Sequence, residues 1–206
     1  MDKPANDFSR LAEAFRGGDH QAGDALLRPF QPWLKMLARV QVESRFHAKF
    51  DSSDIVQQTM LEAVRAFPAF RGRTEAEFAA WLRQILARAL AHEIRRYRGT
   101  QKRDLAREFP LDQELTDTSR RLGDLLAASA TSPAQKLVNR ERHLLLAELL
   151  ERLPDDFREV LILRNLEGLS HEEVARRMGR SPGAVRMLWV RALARLREEA
   201  QGRLSS

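Results

Sequence analysis

The chain has 206 residues, 43% of them hydrophobic, which is enough for one large domain or for two small domains with modest cores. It contains no cysteine, which excludes disulfides, thiolate metal sites and cysteine nucleophiles, and its formal net charge of +6 is compatible with a polyanionic partner. Because no apolar run is long enough to span a bilayer and the first residues lack the apolar segment of an export signal, we expect a cytoplasmic protein.

Helical spacing dominates the first half of the sequence. Alanine, leucine, arginine and glutamate fill long windows, whereas β-branched residues seldom alternate, so the predicted fold class is all-α. The helices predicted here are 5–16, 22–49, 54–67 and 75–98. Thr74 and Glu77 have the spacing of a capping box at the start of the fourth helix. We therefore predict one helical domain over residues 1–98.

The predicted helix 54–67 has two different faces. Its inward face is mostly apolar and consists of Val56, Thr59, Met60, Ala63 and Phe67. Its outward face is mostly polar and consists of Asp54, Gln57, Gln58, Leu61, Glu62 and Arg65. Such a face is either solvated or a docking surface for a partner helix, and periodicity alone does not choose between these alternatives.

The predicted helix 75–98 carries an apolar stripe and a basic stripe. The apolar stripe, which should face the core, is formed by Leu82, Leu86, Leu90 and Tyr97. The other stripe is formed by Trp81, Arg88, His92 and Arg95, at steps of seven, four and three. Bases of single-stranded nucleic acid stack on aromatic rings while their phosphates meet arginine, so this stripe predicts strand binding. The alternative is that Trp81 belongs to the core and that the arginines form a solvated face.

Positive charge is concentrated at the end of this helix. From Arg83 to Arg103 the sequence has seven basic residues and one acid, Glu93, so this window accounts for the whole net charge of +6.

Segment 99–133 then loses the helical pattern, because acidic residues are scattered among Ser, Thr and isolated Leu, with Pro110 and Pro133 as breakers. We predict a flexible linker there, so that the flanking domains need not touch.

A second helical domain is predicted over residues 134–206. Its helices are predicted at 134–152, 155–166, 170–178 and 181–200. Residues 170–185 have the layout of a DNA-binding helix-turn-helix. Ser170 and Glu173 form a capping box, Gly179 supplies the turn, and Ser181 is an N-cap followed by proline at the first helical position.

The last predicted helix has a core face and a face suited to duplex DNA. Val185, Trp189, Ala192 and Leu196 recur at steps of four, three and four and should pack inward. The opposite face combines arginines with small or apolar residues: Gly183, Arg186, Met187, Val190, Ala194 and Arg197. Arginine reaches guanine edges or phosphates in the major groove, and apolar groups meet thymine methyls. The alternative is a helical bundle with an ordinary solvated basic helix, which leaves exposed Met187 and Val190 unexplained.

Motifs in both halves resemble one family. The runs from Asp54 to Thr59, Phe70 to Gly72 and Ala80 to Leu82 resemble region two of bacterial sigma factors of the extracytoplasmic function group in the sigma-70 family. The run from Leu153 to Val160 and the helix-turn-helix look like region four of the same group. Two helical domains with no third domain between them is also the layout of that group. One departure is a longer stretch between Gly72 and Trp81 than the usual pattern carries.

The resemblance implies a role for each surface. Family members bind the clamp helices of the largest subunit of RNA polymerase at positions that match Asp54, Gln57, Gln58, Leu61 and Glu62. They capture and melt the downstream promoter element at positions that match Phe70, Arg71, Arg73, Trp81, Arg88, His92, Arg95 and Arg96. They read the upstream element at positions that match Ser181, Gly183, Arg186, Met187, Val190, Arg191 and Arg197. The linker matches the segment that threads the RNA exit path.

The resemblance implies core RNA polymerase and promoter DNA as partners. Sigma factors of this group are often held inactive by an anti-sigma factor, and the sequence itself does not decide whether this chain has one. The first rival function is a stand-alone helix-turn-helix regulator, which would bind a palindromic operator without polymerase.

The second rival is an enzyme. Against it, the five histidines are dispersed, and the sequence has neither a phosphate-cradling glycine loop nor a nucleophile motif. We therefore expect no catalytic residue, no metal and no cofactor.

Overall fold

The computed structural model describes residues 4–46, 52–98, 111–129 and 142–204. Within these ranges the chain forms helices and turns and no strand, which confirms the all-α prediction. The chain separates into two compact units, Met1–Thr116 and Asp117–Ser206. No helix in the described ranges is both long enough and apolar enough to cross a membrane.

Within residues 4–46 and 52–98, the first unit forms five α-helices. They are α1 (Pro4–Arg16), α2 (His20–Leu27), α3 (Gln31–Phe46), α4 (Ser52–Ala66) and α5 (Glu75–Arg98). Single 3-10 turns at Arg28–Phe30 and Phe67–Ala69 follow α2 and α4. Helix α1 packs on α2, and α4 packs on both α3 and α5, so the two surfaces predicted on α4 and α5 belong to one packed unit.

One predicted helix is two helices in the structure. The prediction of a continuous helix over 22–49 is wrong, because α2 ends at Leu27 and α3 begins at Gln31. Pro29 lies in the 3-10 turn between them. A proline inside an α-helix removes one main-chain hydrogen bond and its ring clashes with the preceding turn, so the helix ends there. Residues 47–49 lie outside the described ranges.

The core of the first unit lies between α3, α4 and α5. Its fully buried residues include Trp33, Leu34, Leu37, Leu82, Ile85 and Leu86. Leu90 is also buried, as the apolar stripe of α5 predicts, whereas the side chain of Tyr97 lies outside the described residues. Phe67 and Phe78 extend this core toward the start of α5, where an aromatic cluster forms.

Helix α6 (Leu111–Ser129) occupies much of the segment that was predicted to be irregular. That prediction is wrong for these residues, because the leucines are not isolated. Leu115, Leu122 and Leu125 recur at steps of seven and three, share one face and are buried. Arg121 donates a hydrogen bond at 2.7 Å to the main-chain oxygen of Leu166. Residues 99–110 and 130–141, where the rest of the predicted linker falls, lie outside the described ranges.

The second unit continues with α7 (Arg142–Arg152), α8 (Asp155–Leu161), α9 (His171–Met178) and α10 (Pro182–Leu204). A π turn, Ile162–Leu166, extends α8. Leu146, Leu149 and Val160 are fully buried, and α10 packs on α7, α8 and α9. The predicted helix 134–152 is present from Arg142, and residues 134–141 lie outside the described ranges.

Candidate nucleic-acid interface

Helix α9 and the turn after it have the local structure that the sequence predicts. The Ser170 hydroxyl accepts a hydrogen bond from the Glu173 amide at 3.2 Å, and the Glu173 carboxylate accepts one from the Ser170 amide at 2.7 Å. This reciprocal capping box satisfies two amides at the start of α9. Gly179 adopts a left-handed conformation with φ of 64°, which ends the helix and opens the turn toward α10.

Two hydrogen bonds from Ser170 shift the acidity of Glu173. The Ser170 amide, and secondly its hydroxyl, stabilise the ionised carboxylate and lower the pKa of Glu173 below its ordinary value of 4.5. The negative charge is thereby kept at the amino end of α9, where it also interacts favourably with the helix dipole.

Ion pairs fix the turn from two directions. Arg180, in the turn, pairs with Asp156 in the first turn of α8. Arg177, in the last turn of α9, pairs with the largely buried carboxylate of Glu167. Arg180 also donates its amide to the main-chain oxygen of Ala175 at 2.9 Å. These contacts join the turn at Gly179 to α8, to α9 and to Glu167, so α10 begins from a turn that is held in place.

The inward face of α10 agrees with the prediction. Val185, Ala192 and Leu196 are fully buried, and Leu188 adds a buried residue that the predicted stripe missed. Trp189 is half-buried and donates its indole N–H to the side-chain oxygen of Asn165, 3.0 Å away. A stripe of steps of three and four from Val185 through Trp189 does not include Leu188, because the buried arc of the helix is wider than that stripe.

The outward face of α10 presents cations and apolar side chains together. Met187 is 60% exposed and Val190 is 51% exposed. Around them, Ser181, Gly183, Arg186, Arg191 and Arg197 are exposed as well. Ser181 has a structural role too, because its hydroxyl accepts a hydrogen bond from the Ala184 amide at 3.2 Å. This is the mixed surface that base edges and phosphates in a major groove require.

His171 lies beside this surface but adds little charge to it. Its ring meets that of Trp189 edge to face, with centroids 5.8 Å apart. Burial first, and then the positive charges of Arg164 and Arg186, lower the pKa of His171 below its ordinary value of 6.5. This favours the neutral imidazole, and the cations of the outward face are arginines.

In the first unit, the basic stripe of α5 is exposed as predicted. Arg88, His92, Arg95 and Arg96 all face solvent. Glu93 lies between two of them: its carboxylate is 3.3 Å from Arg96 and 3.6 Å from the His92 ring. The acid partly neutralises this end of the stripe, and an incoming phosphate would compete with it for Arg96.

Trp81 is the first residue of this stripe. It has features of both predicted alternatives, a core residue and a surface for nucleic acid. Its ring stacks on Phe78 with centroids 5.6 Å apart and lies 4.9 Å from Phe70. It is thus packed against the core, yet it stays half-exposed. Phe70 is only 6% exposed, so its side chain belongs to the core and not to the surface that faces solvent.

The loop between α4 and α5 is held by its own polar groups. The Glu77 carboxylate accepts hydrogen bonds from the amides of Arg73 and Thr74 at 2.8 and 3.0 Å, and the Thr74 hydroxyl accepts one from the Glu77 amide at 3.2 Å. The predicted capping box is therefore present. Arg71 donates to the main-chain oxygen of Pro68 at 2.8 Å. Arg71 and Arg73 are nevertheless exposed, and their charges face solvent.

A cavity of about 480 Å³ opens between this loop and α1. Its lining combines aromatic, cationic and small residues: Phe8, Ser9, Ala12, Glu13, Arg16, Phe70, Arg71, Gly72 and Arg73. Three arginines and one carboxylate surround the opening, which favours an anionic or hydrogen-bonding ligand over a purely apolar one. Sequence reasoning missed the contribution of α1, because nothing in the periodicity of 4–16 indicates what lies opposite it.

The outward face of α4 is also present as predicted. Asp54, Gln57, Gln58 and Leu61 are exposed, and Glu62 is half-buried. Val64, one turn after Leu61, is 40% exposed and enlarges the apolar part of this face. The exposed large apolar residues of the described ranges are Leu61, Val64, Met187 and Val190, and they lie on α4 and α10, two of the three helices predicted to form interaction surfaces.

The described residues contain no group of three or more histidine, aspartate or glutamate side chains placed to hold a metal ion.

Comparison with known proteins matches both units to one group. Residues 26–100 match the family Sigma-70 region 2, and residues 143–196 match Sigma-70, region 4. The chain is 33% identical to ECF RNA polymerase sigma factor SigD of Mycobacterium tuberculosis, over 92% of this chain and 81% of that protein. It is 31% identical to RNA polymerase sigma-H factor of Pseudomonas aeruginosa, over 89% and 88% of the two chains. It is 28% identical to ECF RNA polymerase sigma-E factor of Haemophilus influenzae, over 93% and 94%.

Proposed function

Because this chain belongs to the extracytoplasmic function group of the sigma-70 family, we propose that its two units divide promoter recognition between duplex reading and strand capture. It is a sigma factor that directs RNA polymerase to promoters, and not an enzyme. Core RNA polymerase and promoter DNA are its partners. The observation that carries the proposed division is the outward face of α10, where Arg186 stands beside exposed Met187 and Val190.

We assign duplex reading of the upstream element to α10. Arg186 contacts a guanine edge or a phosphate, while Met187 and Val190 meet thymine methyls in the major groove. Ser181 and Gly183, at the amino end of the helix, approach the phosphate backbone, where main-chain amides and the helix dipole favour an anion. Arg191 and Arg197 supply further phosphate contacts, which position the helix without reading sequence.

We assign capture of the melted downstream element to the loop 70–74 and to α5. The exposed part of Trp81 offers a surface for an unpaired base, and Arg71 and Arg73 meet the adjacent phosphates. The row of Arg88, His92, Arg95 and Arg96 lies further along the same helix and follows the backbone. Phe70 supports the loop from within the core because its side chain is buried.

Strand capture supplies the free energy for promoter opening. Unstacking a base step costs about a few kcal/mol, and a surface that binds only the extruded base offsets that cost. The cavity beside Arg71 and Arg73 is next to the ring of Phe70, on which Trp81 packs, and is large enough to receive an extruded base. An unpaired base is therefore the ligand that we propose for it.

We assign binding of core polymerase to the outward face of α4. Asp54, Gln57, Gln58 and Glu62 form its polar part. Leu61 and Val64 form an apolar centre, and an exposed apolar centre with a polar rim is typical of a protein interface. A partner helix laid on this face would bury both side chains.

Several expectations go with this function. Segment 99–133 connects the two promoter-reading parts, although α6 makes 111–129 helical. Since the polymerase sets the spacing of the two parts, we expect only weak promoter binding by the free chain. We place the protein in the cytoplasm, where it would meet the polymerase. An anti-sigma factor is a further proposed partner, and purification of the tagged chain from cells together with its stoichiometric partners would test it.

Run-off transcription tests the function. Core polymerase, the purified chain and a template with the region upstream of its own gene should yield a discrete transcript, and core polymerase alone should not. A stand-alone regulator predicts the opposite: nanomolar binding to a palindromic site at physiological salt, with no requirement for polymerase. That result would overturn the proposal.

A further inference from the structure

Arg16, the last residue of α1, contacts the loop that follows α4. Its Nη2 donates to the main-chain oxygens of Phe70 and Gly72, each 3.4 Å away. Its guanidinium carbon also lies 5.5 Å from the centroid of the Phe67 ring, in a cation–π arrangement. A single exposed arginine therefore touches both the main chain of the loop and the aromatic cluster beneath it.

These contacts extend from the amino end of the loop, which the capping box does not reach, to a peptide group that the capping box also holds. Glu77 fixes the amides of Arg73 and Thr74, at the carboxyl end of the loop. Arg16 holds the carbonyl of Phe70, at its amino end, and that of Gly72, which belongs to the same peptide group as the Arg73 amide. Arg71 lies between the two carbonyls that Arg16 holds, and Arg73 follows the peptide that Arg16 and Glu77 hold together. The direction of their side chains thus depends on both.

We propose that Arg16 is a positioning residue for strand capture: it fixes the main chain at Phe70 and Gly72 so that Arg71, Arg73 and Trp81 face the extruded strand. This inference rests on the proposed function of the loop. Helix α1 precedes the residues that match Sigma-70 region 2, which begin at residue 26, so that match assigns it no role.

The chemistry of the site requires arginine in particular. The guanidinium is planar, so it can lie over the Phe67 ring while its terminal nitrogen reaches two carbonyls. A lysine ammonium carries the same charge but lacks the flat, forked group that meets ring and carbonyls together. The Arg16→Lys substitution therefore removes the planar geometry and keeps the charge, whereas Arg16→Ala removes both.

Binding to two DNA probes provides the test. Holoenzyme is assembled with Arg16→Ala, with Arg16→Lys and with Arg10→Ala, a control that removes the same charge from the exposed side of α1. One probe is the single non-template strand of the downstream element, and the other is a duplex with only the upstream element. We expect Arg16→Ala and Arg16→Lys to weaken single-strand binding about three- to tenfold while duplex binding changes less than about twofold. Arg10→Ala should change neither.

Hydrogen exchange supplies a second measurement. In the free chain, the amides of Arg73 and Thr74 should exchange faster in Arg16→Ala than in the wild type, because the loop has lost one anchor. The amides of α9, in the other unit, should keep their rates. A general loss of folding would instead lower the binding of both probes and accelerate exchange everywhere, which would overturn the positioning role.

The outcomes separate this inference from the proposed function. If Arg16→Lys binds the single strand as the wild type does, the residue acts through its charge and the positioning role is wrong. If Trp81→Ala weakens single-strand binding and Arg16→Ala does not, strand capture stands and the role of Arg16 is rejected. If wild-type holoenzyme does not prefer the downstream strand to a scrambled strand, both proposals are rejected.

Discussion

The indole N–H of Trp189 donates a hydrogen bond to the side-chain oxygen of Asn165 at 3.0 Å, and this bond joins α10 to the π turn that extends α8. Trp189 lies on the flank of α10, between its buried and exposed faces. The bond thereby fixes the rotation of α10 about its own axis, and with it the direction in which Met187 and Val190 point.

Replacement of Asn165 by alanine should destabilise the second unit. The substitution leaves the half-buried indole N–H without its acceptor, which costs about 1–2 kcal/mol. Native-state hydrogen exchange of α10 amides would measure the loss as a lower local free energy of opening. Asn165→Asp is the control, because it keeps an oxygen acceptor of the same reach and should retain most of the stability; equal losses in both variants would contradict the role of the bond.

The capping box of α9 should make stability depend on acid. The folded pKa of Glu173 is lowered, so the unfolded chain binds the proton more readily. The stabilisation is therefore complete above the ordinary pKa of 4.5 and is lost as the pH falls through the lower, folded value. Glu173→Gln, which retains a capping acceptor without a titrating group, should flatten the stability of α9 in this range.

Removal of the partner residue probes the same box without titration. Ser170→Ala should cost about 1 kcal/mol at neutral pH, as loss of an N-cap usually does. Urea unfolding followed by circular dichroism would measure the free energy of unfolding of Ser170→Ala and of Glu173→Gln. An unchanged acid dependence in Glu173→Gln would refute the assignment to this carboxylate.

Gly72→Ala should impair promoter opening. A methyl group at this position would overlap the tip of the Phe70 ring, so the ring or the loop must move. Because the ring packs on Trp81, we expect at least about a tenfold slower appearance of permanganate-reactive thymines in the downstream element. Gly202→Ala is the control, since an added methyl there meets nothing within 4 Å. Equal opening rates for Gly72→Ala and the wild type would show that the loop tolerates displacement.

Substitutions in the two units should give different defects. Arg186→Ala removes a groove contact and should weaken binding of the upstream duplex by about 1–3 kcal/mol, with less effect on strand capture once the complex has formed. Trp81→Ala should slow opening with little effect on initial binding. Gel-shift titration and permanganate footprinting would separate the two steps. Arg195→Ala, which removes a cation already paired with Glu198 and Glu199, is the matched control. Identical defects for Trp81→Ala and Arg186→Ala would contradict the division of labour.

Local signals predicted the helix-turn-helix well because its determinants are local. The Ser170 cap, the Gly179 turn and the Ser181-Pro182 start each depend on residues within one helical turn, and all three are present. The two-faced character of α4 and α10 was also predictable, since 3.6-residue periodicity determines which side chains share a face.

Other features depend on residues that are distant in sequence. Arg16 and Gly72 are 56 residues apart, so no spacing rule connects them. Helix α6 escapes prediction for a different reason, because polar residues separate its buried leucines and obscure the helical pattern of the segment. The break at Pro29 is also not predicted by periodicity, because the apolar pattern continues on both sides of it.

Because Trp81 is packed against other rings, the conformational entropy of its side chain is lost when the chain folds and not when DNA binds. Phe78 and Phe70 already immobilise the indole in the folded chain, so an arriving nucleotide meets a fixed plane and need not order a mobile side chain. The strength of stacking at this position should consequently vary with the identity of the base more than with the flexibility of the protein. To change which base is preferred at that nucleotide, the residues that pack against Trp81 would then have to change together with Trp81 itself.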